Sequence, residues 1–181
     1  MFRKLALAFV VAAGSSDAIA SETGTFTDLF ESVCIGSQLK PDLVSTILTQ
    51  AASFYGMQLK ELPQEHVVTL AAGAQRGWGI AKDASEAFVV VVGQRTMDNG
   101  KLSNNCAITK QGVGGADEVK SFVERKFKSK KILEQAQGSS DVAVYGVELL
   151  GFDKKAAIGI QSTQGSDPNL SMLMLSLFEA E

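Results

Sequence analysis

Two stretches of this chain are apolar at both alternating sets of positions: 87–92 (AFVVVV) and 170–178 (LSMLMLSLF). Successive side chains of a strand point to opposite faces, so a run that does not alternate asks for cover on both. Neither run approaches the ~20 residues that a helix needs to cross a bilayer core. The expectation is a sheet with these two strands central and adjacent to helices. Met172 and Met174, with the leucines around them, read as core. If one face of that strand were left bare, it would be a surface for a partner or for a second copy.

The rest of the chain fills in around them. Residues 101–109 return from the Asp98-Asn99-Gly100 turn signal as a strand. Residues 141–150 alternate, and 156–162 follow the turn at Phe152-Asp153-Lys154-Lys155. A helix starts at Lys40-Pro41-Asp42, where Pro suits the first turn, and ends at Gly56. Its apolar stripe reads as Leu43, Ile47, Leu48, Ala51, Phe54 and Tyr55. A second helix runs from 116 to about 129, with Val119, Phe122, Val123 and Phe127 on one stripe. Residues 64–71 suit a short helix ended by Gly73, Gly77-Trp78-Gly79 reads as an interruption, and 25–33 fits helix and strand periods equally.

The expected architecture is therefore one α+β domain over 21–181, with two main helices packed on one face of a mainly antiparallel sheet of five to six strands. The order also suits two halves, near 40–110 and 115–178, each a helix followed by a β-hairpin. Duplication would place Cys34 and Cys106 on equivalent segments.

Residues 1–20 have the three parts of a secretory signal peptide. Arg3 and Lys4 give a positive start, 5–14 (LALAFVVAAG) an apolar run, and Ala18-Ile19-Ala20 a small-residue cleavage site. The expectation is an exported protein, periplasmic or secreted, with no membrane span once the leader is removed. The chain has 17 basic and 20 acidic residues. Removing Arg3, Lys4 and Asp17 leaves 15 and 19, a net charge of −4. That balance argues against a general nucleic-acid binder, which needs a basic face. In an oxidising compartment the two cysteines, Cys34 and Cys106, read as one structural disulfide.

Chemistry-bearing motifs are few. Gly112 and Gly114 lead towards a helix, but Asp117 stands where a phosphate-binding turn wants glycine, so the run reads as a connection. His66 is the only histidine. It has too few neighbouring ligand types for zinc, and it is the one residue a small hydrolase could use as general base. No catalytic, cofactor-binding or metal residue is assigned and no cofactor is implied. Lys120, Arg125, Lys126, Lys128, Lys130 and Lys131 form a basic run, read as a solvated helix face. As a site, they and Trp78 would be the candidate surface for an anionic envelope component or a protein. Trp78 reads more readily as core, between glycines that let the backbone approach. Asn169-Leu170-Ser171 is a glycosylation acceptor only in a eukaryotic secretory host. The function classes left open are a non-catalytic exported binding or accessory domain, which leads, a small hydrolase on His66, and a self-associating envelope component.

Overall fold

The computed structural model describes residues 24–83, 86–111, 116–163 and 170–178. The leader, the glycine run 112–115 and the turn cluster 164–169, with Asn169, lie outside the described residues. Helical residues 24–29 run into a π-helix, Phe30–Ile35 (α1), closed by the Gly36 N–H donating to the Glu31 carbonyl at 2.9 Å. Then come α2 (Pro41–Tyr55), β1 (Gln58–Glu61), α3 (Gln64–Leu70), β2 (Ala74–Ala81), β3 (Ala87–Thr96) and β4 (Leu102–Gln111). The second half is α4 (Ala116–Lys126), β5 (Lys128–Gln137), β6 (Ser140–Glu148), β7 (Lys155–Thr163) and β8 (Leu170–Phe178).

All eight strands form one antiparallel sheet in the order β1-β2-β3-β4-β8-β7-β6-β5. This corrects the expectation of two main helices on five to six strands. Each half is a helix followed by a four-stranded meander, not a hairpin, and the halves meet where β4 pairs with β8. Three strands escape periodicity for physical reasons. β1 is four residues long and mostly exposed. β2 holds Gly77 and Gly79, because α3 lies against it: a Cβ on Gly77 would sit 2.9 Å from Val67 Cγ2. β5 is a lysine-rich edge strand, and charge on an edge blocks pairing with other chains. Its first residues look like the last turn of the preceding helix.

The core lies between one face of the sheet and helices α1, α2 and α4. Trp78, Ile80, Phe88, Val90, Cys106, Ile108, Tyr145, Ile158, Leu173 and Leu175 supply the sheet side, and Phe26, Phe30, Val33, Leu48, Val119 and Val123 the helix side. The α2 boundaries follow Pro41 and a left-handed Gly56 (φ 65°), but its buried stripe is rotated from the one expected. Val44, Leu48 and Ala52 face the core, while Leu43 is half out and Phe54 is 82% exposed. Trp78 and Tyr145 stand at corresponding places in the two meanders. Each is fully buried and carries a cation over its ring, Arg76 at 4.9 Å and Lys131 at 5.8 Å. Cys34 on α1 and Cys106 on β4 form a disulfide with Cα atoms 5.5 Å apart. One partner is helical and the other is a central strand, so they are not equivalent segments.

Candidate functional site

The second face of the sheet is where the two-sided apolar pattern is left without its expected cover. Cross-strand pairing sets a row straight across it: Gly77, Val91, Ala107, Met174, Gly159, Val144 and Leu133. Among the described residues, α3 is the helix on this face; its Val67 forms a small cluster with Ala74, Val91 and Ala107, against which Met172 and Met174 pack in part. Among the described residues the face is partly open over β8, β7 and β6: Met172, Met174, Gly159, Val142 and Val144 are half-buried there, while Ala107 on β4 and Ala157 on β7 are buried. β8 is central as expected, but among the described residues its two faces differ: Leu173, Leu175 and Leu177 on one are buried, whereas Met172 and Met174 on the other are half-buried.

The open face holds a cavity of about 300 Å³. Its floor is made of small or apolar side chains, Val91, Ala107, Ala157, Gly159 and Met174, and its walls of Ala71, Ala72 and Met97. Polar groups collect at one end. Ser103 Oγ donates to Asn105 Oδ1 at 3.0 Å, Asn105 Nδ2 donates to the Ser103 carbonyl at 3.2 Å, and Ser176 pairs with Asn105 across the ladder. Arg95 pairs with Ser103 beside them. A recessed apolar floor with a few convergent polar groups is the usual form of a small-molecule site, at the lower end of the common ~300–1,000 Å³ range.

The residues singled out from sequence fall elsewhere. The basic run is divided between α4 (Lys120, Arg125, Lys126) and β5 (Lys128, Lys130, Lys131). Most of it is neutralised. Lys120 and Lys131 both reach Glu134, at 2.7 and 2.8 Å, Lys126 reaches Glu31 at 3.0 Å, and Lys128 reaches Glu148 at 2.9 Å. The two lysine hydrogen bonds pull the Glu134 carboxyl down to about 2. Arg125 donates to the Ser121 carbonyl of its own helix. Trp78 is 1% exposed and belongs to the core, so it is removed from the partner surface. His66 lies on the exposed side of α3, and its imidazole makes no hydrogen bond or ion pair among the described residues. The described residues also hold no group of three or more His, Cys, Asp or Glu placed to bind a metal, and no helix long and apolar enough to cross a membrane.

Sequence reasoning missed the open face because its floor is Gly, Ala, Val and Met, which carry no chemical motif. The available signal is the methionine strand, which reads as core from sequence and as a partner surface only if one of its faces is bare. It also missed Lys110, buried on β4 with its Nζ 5.1 Å from the Phe88 ring centre. No family model, no curated protein and no solved structure matches this chain.

Proposed function

We propose that this chain is an exported, non-catalytic binding domain whose ligand lays its apolar part on the open face of the sheet. The observation that carries the reading is the stretch Met174, Gly159 and Val144, only half-buried among the described residues, beside a cavity floor of small side chains. Exposed apolar surface that is contiguous and recessed marks binding sites more often than bare core. Export draws its support from the leader pattern and from the disulfide, which suits an oxidising compartment.

A neutral apolar fluorophore, N-phenyl-1-naphthylamine, tests the site without regard to charge. It should bind saturably with a blue-shifted emission and be excluded by Gly159→Val. A Cβ at Gly159 meets Met174 Cε at 3.5 Å, an ordinary contact, so the position has room for a first carbon and the two Cγ atoms of valine would take up cavity space; an unchanged melting temperature checks that the fold is kept. Absence of saturable binding, or binding unaffected by Gly159→Val, would remove the open face as the site. Export is checked by intact mass. The expected product is 21–181, with two alkyl groups added only after reduction.

A further inference from the structure

Resting on the binding reading above, we propose that the ligand is a free single-chain amphiphile with an anionic head, of the long-chain carboxylate class. Its tail lies along the small-residue row and its head at the β5–β7 end of that row, against Lys130 and Lys155. The first argument is continuity. The cavity over Ala107 and Met174 adjoins a second of about 720 Å³, and the two share Ala157 and Phe178. Between β3 and β6 lie four strand spacings, about 19 Å at ~4.8 Å each, which is room for one extended chain.

The second argument is the distribution of charge. Along the basal edge of the face, pairing sets the row Arg95, Ser103, Phe178 and Lys155. Lys130 lies just above it, opposite Gly146, and Lys154 also lines the second cavity. None of Arg95, Lys130, Lys154 or Lys155 forms an ion pair among the described residues, whereas Lys120, Lys126, Lys128 and Lys131 all do. Among the described residues, the carboxylates at this end are Glu148, which holds Lys128, and Asp153. The opposite row of the face, Val89, Thr109, Met172, Gln161 and Val142, carries no charge. Arg95 stands at the β3 end of the groove, and Lys130, Lys154 and Lys155 gather at the β5–β7 end, where three cations that form no ion pair among the described residues favour an anionic head. Lysine and arginine stems can line the groove while their heads stay in water to meet an anion. A cationic head would be repelled, and a neutral one would gain nothing from these groups.

The test is calorimetric titration of the mature chain with dodecanoate and with dodecyltrimethylammonium, both as monomers, alongside vesicles of an anionic phospholipid. Dodecanoate should bind with one site per chain, and the ammonium compound at least about tenfold more weakly. Lys130→Gln with Lys155→Gln should weaken dodecanoate by about tenfold with little change in melting temperature. Gly159→Val should abolish binding. Equal binding of both detergents would overturn the anionic head while leaving the groove in place. Binding of neither would overturn both readings. Dodecanoate binding that survives the double lysine variant would overturn the placement of the head. Association with vesicles alone would make the face a membrane-surface contact instead.

Discussion

At Gly93 the chain has no room for a side chain. A Cβ there would meet the Gly73 carbonyl and lie 2.7 Å from Ala74 Cα, because β2 starts with an irregularity against β3. The clash is with backbone, which cannot rotate away. Gly93→Ala should therefore cost about 2–3 kcal/mol in denaturant unfolding, while Gly159→Val, which has space, stays within about 1 kcal/mol of the parent. Glu134 gives a prediction in pH. Its pKa is lowered by its two lysines, so its contribution to stability is present above the unfolded-state value of 4.5 and is lost as pH falls towards about 2. Glu134→Gln should flatten the stability–pH curve in that window and leave it unchanged near neutrality in shape. At this scale the sequence points to residues with conspicuous chemistry, and the candidate site is built from others. His66, Trp78 and the lysines of α4 draw attention, whereas Ala107, Ala157 and Gly159 matter because they are small. Smallness becomes informative only once strand register has lined the residues up.

At the scale of elements, the disulfide fastens α1 to β4, and both sulfurs are fully buried. Cysteines separated by 72 positions close a long loop, and in the chain-entropy picture such a bridge contributes about 4 kcal/mol. Replacing both by alanine should lower unfolding free energy by up to that amount, read from urea titrations of the oxidised parent and the double variant. The elements legible in sequence were those with an internal cue. Pro41 and Gly56 bracket α2, the Asn99-Gly100 turn joins β3 to β4, and apolar density marks β3 and β8. β1, β2 and β5 were illegible because their strand state is imposed from outside. Each is held by a neighbour in the sheet while its own composition is charged or glycine-rich. The same cause explains α2: periodicity locates an apolar stripe, but the sheet decides which part of it is buried.

Across the whole molecule, the two helix-and-meander halves share one core, since residues from Phe26 to Leu177 belong to the same buried cluster. The halves should unfold together. Trp78 reports on the first and, in a Tyr55→Phe background, Tyr145 on the second, so the tryptophan fluorescence and tyrosine near-ultraviolet transitions in urea should share one midpoint; separated midpoints would mean that the seam between β4 and β8 is a domain boundary.

That seam also sets an order of assembly. β8 lies between β4 and β7, so the strand encoded after all the others goes into the middle of the sheet. A chain threading into a new compartment from its N-terminal end could form the first meander and pair β5, β6 and β7 early. It could not join them until residues 170–178 had come through. Until then the edges of β4 and β7 would stay unpaired, and the polypeptide would remain loose enough to keep moving through a narrow passage. In a chain delivered in that order, the sheet would close only once β8 had arrived.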